Sequence, residues 1–322
     1  MTKETHIKIG TRGSKLALIQ ANMVADALRE AHPELQEDGA VELVIITTSG
    51  DRIQDRSLLE AGGKGLFIKE IEEALFAGEI DLAVHSMKDV PAFLPEQAEM
   101  GCIFPREEPW DAFLSPHYAS LQDLPEGATL GTSGVRRKAL ALAVRPDLNV
   151  VLFRGNVDTR LRKLEDGVAD ATFLAVAGLN RMGLSDEITK TLSMDDMLPA
   201  AGQGAVGVEI RKDDQRLRNY LNPLHCHETA AAVAAERAFI AVLDGSCRTP
   251  IAAYAVFDEA KENLEMTSLV AMENGEKVWK LSDRLQVSPA DAEKAVSLGK
   301  ALGQKMKDLI PADVLQQLME HD

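Results

Sequence analysis

The sequence predicts two related α/β domains followed by a smaller α+β domain, because two local patterns each occur twice. In the first pattern a strand runs into a turn of glycine and hydroxyl residues that opens a helix, at residues 6–32 and again at 129–144. In the second, a helix is followed by Gly-x-x-Asp and an apolar strand, at 68–86 and again at 158–178. Continuously apolar strands indicate sheets that are covered on both faces.

The strand-to-helix turns are candidate anion sites. The strand HIKIG precedes a helix that starts at Lys15, and in the second domain the turn GTSG, residues 131–134, opens a helix with Arg136 and Arg137 in its first turn. Glycine and a small hydroxyl residue at such a junction can direct backbone N–H groups at an anion. Each domain is therefore predicted to carry one anion-binding turn.

Two segments rich in proline or glycine mark expected crossings between these domains. They are PREEPWDAF, residues 105–113, and LPAAGQGAVGVEI, residues 198–210. A chain that leaves and returns in this way places a ligand in the cleft between two domains. The predicted boundaries are 1–105 with 200–220 for domain 1, 106–199 for domain 2 and 221–322 for domain 3.

Domain 3 is predicted from an alternation of helix and strand patterns. An Ala-rich helix, ETAAAVAAERAFIAVL, precedes three strand candidates, and a helical region begins near Pro289. This layout is typical of an α+β domain. The loop LDGSCRTP, which contains Cys247, lies between the Ala-rich helix and the first of these strands.

Composition excludes several classes of partner. The chain has 35 basic and 51 acidic residues and a net charge of −16, which argues against nucleic acid or an anionic membrane as a partner. No segment offers the roughly 18 uninterrupted apolar residues of a membrane span, and no apolar leader is visible. Three cysteines are too few for a disulfide framework. We therefore expect a soluble cytoplasmic protein. We also expect it to be a monomer and to act on a small molecule.

Arginine is concentrated in the middle of the chain. Residues 106–181 contain eight arginines, two lysines and ten acids, so this segment is neutral within a strongly acidic protein. The planar guanidinium pairs with carboxylate or phosphate through two hydrogen bonds. The enrichment predicts a multiply charged anionic ligand in the cleft.

A second candidate site is DLAVHSMKDVP, residues 81–91. A buried strand runs into polar residues there, and Pro91 prevents a regular continuation. Ligands bind at the carboxyl ends of strands in α/β sheets. Lys88 and Asp89 could form only an exposed ion pair, but in a cleft Asp89 could act as a general acid or stabilise a developing cation. His85 is interpreted as a structural hydrogen-bonding residue.

Nine motifs, taken in order, resemble the signature of the porphobilinogen deaminase (hydroxymethylbilane synthase) family. They are TRGSKLAL, GGKGLF, AVHSMKDVP, GTSGVRR, RGNVDTRL, LAVAGLNR, GQGAVG, HETAAAVAAERAF and GSCRTP. The resemblance spans about residues 7–250, and the motifs are specific in combination. It implies two hinged domains that resemble periplasmic binding proteins, with mixed sheets, and a smaller domain that carries a cysteine loop.

The resemblance also implies an activity. Members of the family are transferases that condense four porphobilinogen molecules stepwise, with release of ammonia, into a linear tetrapyrrole. They build it on a dipyrromethane cofactor that is bound through a thioether to the loop cysteine, here Cys247. Arg248 would favour the thiolate needed for that attachment.

Site residues follow from the resemblance position by position. Asp89 matches the catalytic carboxylate, which helps to protonate the departing amine and stabilises positive charge on a pyrrole nitrogen. The implied cofactor-binding residues are Asp51, Ser86, Lys88, Thr132, Arg136 and Arg137. The implied substrate-binding residues are Arg12, Ser14, Lys64, Arg154, Arg160, Arg181 and Gln203.

Two departures from the family pattern and three other interpretations remain open. Gly134 replaces a serine, and Glu60 stands where relatives often carry lysine, so that Lys64 is the remaining cation of a predicted lid. The main alternative function is a non-enzymatic, two-lobed anion-binding or effector protein. A cysteine hydrolase lacks nominated partners for the thiol, and no metal is expected at His225 and His227, which lack helical i, i+4 spacing.

Overall fold

The computed structural model describes residues 6–52, 68–243 and 249–319, with only the backbone for Asp51, Arg52 and Met319. The predicted positions Glu60, Lys64 and Cys247 and the side chain of Asp51 lie outside the described residues. No helix in the described ranges combines the length and the apolar character that crossing a membrane requires.

Strands and helices alternate through the first two thirds of the chain. The strands are β1 Ile7–Arg12, β2 Val41–Ile46, β3 Leu82–Ser86, β4 Ala98–Ile103, β5 Asp111–Leu114, β6 Thr129–Gly131, β7 Asn149–Val151, β8 Ala171–Ala175, β9 Lys190–Thr191, β10 Val206–Arg211, β11 Ile251–Phe257, β12 Asn263–Ala271 and β13 Val278–Gln286. The α-helices are α1 Lys15–Ala31, α2 Ser49–Arg52, α3 Lys69–Phe76, α4 Val135–Val144, α5 Val157–Glu165, α6 Val176–Arg181, α7 Gln215–Leu221, α8 His227–Val242, α9 Ala292–Leu309 and α10 Ala312–Met319. Short 3-10 helices occur at Pro33–Leu35, Met87–Asp89, Ser185–Glu187 and Asn222–Leu224.

Two five-stranded mixed sheets share one arrangement. The sheet of the first lobe has the order β2-β1-β3-β10-β4, and the sheet of the second lobe has the order β7-β6-β8-β5-β9. In each, the first three strands are parallel and the fourth is antiparallel to both of its neighbours. The fourth strand is also the first strand that follows a crossing: β5 follows the first crossing and β10 follows the second. The predicted α/β class with mixed sheets is confirmed.

The repeated Gly-x-x-Asp pattern has the same structural role in both lobes. Asp81 accepts a hydrogen bond from the backbone N–H of Lys8 at 2.8 Å and returns one from its own N–H to the Lys8 carbonyl, also at 2.8 Å. Asp170 does the same with Thr129, at 2.7 and 2.8 Å. Each aspartate therefore ties the start of a central strand to the start of its parallel neighbour.

The two crossings run beside each other between the lobes. The Glu107 N–H donates to the Gly204 carbonyl at 3.2 Å, and Arg106 Nε donates to the Gln203 carbonyl at 2.8 Å. Gly202 has a φ of +71°, and a Cβ there would lie 2.9 Å from Met87 Cβ. The second crossing therefore packs directly against the end of β3. The predicted domain boundaries at these crossings stay a prediction.

The third unit is an antiparallel sheet, β11-β12-β13, covered on one face by α8 and α9. These helices approach closely, since a Cβ on Gly299 would overlap the Ala235 carbonyl oxygen. The other face of the sheet contributes Ala252, Leu269 and Ala271 to the apolar core of the second lobe. The predicted α+β character of this unit is confirmed.

Candidate active site

Lys88 and Asp89 lie at the carboxyl end of β3, in the 3-10 helix that follows it. Ser86, the last residue of β3, accepts a hydrogen bond from Gln20 Nε2 at 2.9 Å and donates one to Gln20 Oε1 at 3.1 Å. Met87 is buried, and its N–H donates to the Ala205 carbonyl at 3.0 Å. Contacts with α1 and with the second crossing thus hold the segment, while Lys88 and Asp89 stay partly exposed.

In the second lobe a buried aspartate organises the arginine pair. Asp111, the first residue of β5, is 0% exposed. Its Oδ1 accepts hydrogen bonds from Nε and Nη2 of Arg137 at 2.9 and 2.6 Å, and its Oδ2 lies 2.7 Å from Arg136 Nη1. Burial raises the pKa of Asp111, but the two guanidiniums outweigh it and hold that pKa well below its usual range.

Backbone carbonyls complete the binding of both arginines. Arg137 Nη1 donates to the Phe173 carbonyl and Arg136 Nη1 to the Leu198 carbonyl, each at 2.8 Å. Each guanidinium is therefore held in one orientation, and this orientation also sets the direction of the N–H groups that these bonds do not use.

Electrostatic coupling links the two lobes at this point. Burial lowers the pKa of Lys88 to about 8, with Arg137 and Arg136 lowering it and Asp89 and Asp111 raising it. The charges of Lys88 and Asp89 in the first lobe therefore act on the arginine pair of the second lobe.

Arg160 and Arg154 extend this cluster of cations. Arg160 Nε donates to the Gly155 carbonyl at 2.9 Å, and burial lowers its pKa to about 10, with Arg137 and Arg154 lowering it and Asp89 raising it. Arg154 is 7% exposed. Among the described residues, the cations Lys88, Arg136, Arg137, Arg154 and Arg160 and the carboxylates Asp89 and Asp111 thus act on one another in one region.

The turn of the second lobe has the predicted strand-to-helix geometry. Thr132 is buried and its Oγ1 accepts the N–H of Gly134 at 3.2 Å, where α4 begins. A Cβ on Gly134 would meet nothing closer than Arg137 Cδ at 3.8 Å. Packing therefore leaves room for the serine of the family pattern at this position.

The turn of the first lobe is built differently. Ser14 is the N-cap of α1, and its hydroxyl accepts the Ala17 N–H at 3.3 Å. Arg12, the last residue of β1, is partly exposed. Capping occupies one acceptor position of Ser14 but leaves its hydroxyl proton available.

Arg181 and Gln203 lie at the crossings. Arg181 Nη2 donates to the Gly204 carbonyl at 2.8 Å, and burial lowers its pKa while Glu107 raises it. Gln203 is 1% exposed and donates through Nε2 to the Pro109 carbonyl at 2.6 Å. In this structure both side chains stabilise the backbone between the lobes.

Sequence reasoning missed Asp111 as a functional residue. A single acid at the start of the buried strand DAFL was the available signal, because a fully buried charge needs a partner.

No metal was predicted at His225. In this structure its Nδ1 accepts the Ile103 N–H at 3.2 Å, and no group of three or more potential metal ligands occurs among the described residues.

The chain is similar to known proteins over most of its length. Residues 7–219 match the family model described as porphobilinogen deaminase, dipyromethane cofactor binding domain, and residues 230–308 match that of the porphobilinogen deaminase C-terminal domain. The chain is 50% identical over 305 residues to the chloroplastic porphobilinogen deaminase of Oryza sativa subsp. japonica, covering 95% of this chain and 84% of the relative. It is 57% identical over 243 residues to porphobilinogen deaminase of Nitrobacter hamburgensis, covering 76% of each.

Among solved structures the chain is similar to binding proteins. A putative methionine-binding lipoprotein of Bacillus subtilis has a TM-score of 0.40 at 15% identity, covering 71% of this chain and 94% of that one. The methionine binding protein MetQ has a TM-score of 0.44 at 14% identity, covering 68% of this chain and 90% of that one.

Proposed function

The chain belongs to the porphobilinogen deaminase family, and on that premise we propose how its own residues take part in the reaction. The enzyme is a transferase that condenses four porphobilinogen molecules, with release of ammonia, into the linear tetrapyrrole hydroxymethylbilane. Family membership supports this activity over the non-enzymatic, two-lobed anion-binding alternative.

The residues present fit a dipyrromethane with acidic side chains. The cluster of cations around Lys88 and the arginine pair is the observation that supports this fit, because ammonium and guanidinium groups bind carboxylates. When bound, the dipyrromethane supplies the primer on which the tetrapyrrole is assembled. Lys88, Arg136 and Arg137 would hold its carboxylates, with Ser86, Thr132 and Asp51 as further polar contacts. Cys247 would anchor it through a thioether.

Asp89 is the proposed catalytic residue. It lies at a strand end beside Lys88, and its charge also acts on Arg137 and Arg160. Its carboxyl group would donate a proton to the departing amine and then, as a carboxylate, stabilise positive charge on the pyrrole nitrogen.

The remaining cations are proposed to bind substrate carboxylates. Each porphobilinogen carries an acetate and a propionate, which suit the two-pronged hydrogen bonding of guanidinium. The charges of Arg154 and Asp89 both act on Arg160, which places Arg160 and Arg154 in the same cluster as the proposed catalytic residue. The further members of this set are Arg12, Ser14, Lys64, Arg181 and Gln203.

Two measurements test this assignment. The intact mass of the purified protein should exceed the sequence mass by one dipyrromethane unit, and Cys247→Ser should lose that excess. Asp89→Asn should retain the excess while its kcat falls about 100-fold or more, as is typical when a general acid is removed. An active protein without added mass would contradict the role of Cys247, and wild-type kcat in Asp89→Asn would contradict that of Asp89.

We also propose that the enzyme acts as a cytoplasmic monomer. One chain supplies the cations and carboxylates of both lobes, so a second copy is not needed to complete the site. Attachment through Cys247 requires a free thiolate, which suits a reducing compartment.

A further inference from the structure

Helix α8 of the third unit packs against the segment that carries Lys88 and Asp89. Val233 belongs to the same buried apolar cluster as Met87 and Val90, which flank these two residues, and Ala230 packs against that cluster. Residues 230, 233 and 237 follow helical spacing and share one face of α8. Arg237 is therefore directed at the same segment.

Arg237 binds three consecutive carbonyl groups just after Asp89. Its Nη1 donates to the Val90 carbonyl at 3.1 Å, and its Nη2 donates to those of Pro91 and Ala92 at 2.6 and 3.2 Å. These residues belong to no helix or strand, so their carbonyls have no regular backbone partners and need other donors. A planar guanidinium satisfies all three in one fixed geometry, which an ammonium group reproduces poorly.

We propose that Arg237 is a positioning residue for the condensation, which orients the Asp89 carboxyl group by holding the backbone at Val90, Pro91 and Ala92. This inference rests on the catalytic role proposed for Asp89. The contacts of Arg237 with this segment are to backbone carbonyls, so we infer that it acts through Asp89.

Groups on the neighbouring elements support this arrangement. The charge of Glu209 on β10 acts on Arg237: it raises the pKa of Arg237, whereas burial, the larger effect, lowers that pKa to about 10. Glu209 Oε2 also lies 2.9 Å from Nε2 of His85 on β3, and both side chains are buried. His85 comes before Asp89 in the chain and the carbonyls bound by Arg237 come after it. The catalytic segment is thereby held from both ends.

The adjacent face of α8 holds the crossings between the lobes. Glu236 is 0% exposed and accepts hydrogen bonds from the Arg106 guanidinium, from the Gly202 N–H at 2.6 Å and from the Ala255 N–H at 2.8 Å. Neighbouring residues of one helix thus bind the crossings and the catalytic segment. Through this helix Arg237 keeps a fixed position relative to the crossings between the lobes.

The test measures kcat, KM, intact mass and thermal unfolding for Arg237→Gln, Arg237→Lys and Asp89→Asn in the full-length holoenzyme. We expect Arg237→Gln to lower kcat about 10- to 100-fold, as expected of a catalytic group displaced by about 1 Å. Its KM should stay within about twofold and the cofactor mass should be retained. Arg237→Lys should fall between Arg237→Gln and the wild type, and it serves as the readout if Arg237→Gln does not fold.

A double-mutant cycle separates positioning from general stabilisation. In the Asp89→Asn background, Arg237→Gln should lower kcat less than about twofold further, because the group that it orients is already disabled. Full additivity of the two losses would overturn the inference and leave the role of Asp89 intact. Wild-type kcat in Asp89→Asn alone would overturn both.

Arg211→Gln provides a matched control. Arg211, at the end of β10 in the first lobe, also donates to two backbone carbonyls, those of Leu75 at 2.8 Å and Ile80 at 3.0 Å. These carbonyls precede β3, whereas the catalytic segment follows it. We expect Arg211→Gln to lower the thermal midpoint without changing kcat. An equal loss of kcat in Arg211→Gln would overturn the inference, because the loss of any arginine–carbonyl contact in the first lobe would then have the same effect.

Discussion

Arg137 and Asp111 form a buried pair in which one carboxylate oxygen, Asp111 Oδ1, accepts two hydrogen bonds from the guanidinium, at 2.9 and 2.6 Å. The second oxygen lies 2.7 Å from Arg136. One aspartate therefore balances part of the charge of two arginines and fixes the orientation of their guanidinium groups.

Replacement of Asp111 should strongly lower the stability of the folded protein. Asp111→Asn leaves two buried guanidiniums without a carboxylate, and removal of one partner of a buried pair costs about 3–5 kcal/mol of unfolding free energy. Denaturant unfolding of the folded variant measures this loss. Asp147→Asn is the control, because Asp147 pairs with Arg145 at 2.7 Å near the surface, and this variant should change stability little. Equal losses in the two variants would contradict the structural role of Asp111.

Lys88 should make cofactor acquisition depend on pH. Burial lowers its pKa to about 8, so its positive charge is complete below that pH and is lost as the pH rises through it. The rate at which apoenzyme supplied with porphobilinogen gains the dipyrromethane mass should therefore decline above about pH 8. Lys88→Arg keeps its charge over this range and should not show the decline. The same decline in Lys88→Arg would assign it to another group.

Gly202 should tolerate no side chain. Its φ of +71° disfavours alanine, and a Cβ would lie 3.0 Å from the Met87 carbonyl carbon and 3.2 Å from Lys88 N. A left-handed backbone costs a non-glycine residue about 1–2 kcal/mol, and Gly202→Ala should lower the free energy of unfolding by more than this because of the added close contacts. It should also lower kcat, because it displaces Lys88 and Asp89. Gly183→Ala has nearly the same φ, +70°, with nothing within 4 Å of the added Cβ. Gly183→Ala should lower the free energy of unfolding only by the cost of the left-handed backbone, and its kcat should be unchanged.

Glu72 should make stability depend on pH in the acidic range. Burial and the charge of Glu209 together raise the pKa of Glu72 to about 7, against an opposing effect of His85. The folded protein thus holds a proton that the unfolded chain releases, so stability falls as the pH rises from the ordinary Glu range to about 7. Relative to Glu72→Gln, the wild type should lose about 1 kcal/mol over this range, allowing for solvent screening. Exposed Glu73→Gln should follow the wild-type profile in denaturant titrations.

Local patterns predicted the two-lobed fold well. The Gly-x-x-Asp repeat indicated equivalent helix-to-strand junctions, and Asp81 and Asp170 make the same pair of backbone hydrogen bonds in their respective lobes. Such junctions are encoded within a few residues, because the glycine permits a left-handed turn and the aspartate side chain reaches a nearby strand end.

The site was predicted unevenly. The motifs around Lys88, Asp89, Arg136 and Arg137 carried the family resemblance, so these positions could be nominated from the sequence. Asp111 could not, since an isolated acid at the start of a strand identifies no partner until the fold brings the arginines to it.

The sequence by itself determined the alternation of helices and strands, the internal repeat and the family, because periodicity, turn residues and ordered motifs are properties of the linear chain. Only the tertiary structure decided that β5 and β10 enter the lobes as antiparallel strands and that Asp111 balances two arginines. It also decided that Arg237 reaches the carbonyls after Asp89. Those contacts join residues far apart in the chain, and their energies depend on burial and direction, which exist only once the lobes and the third unit have packed together.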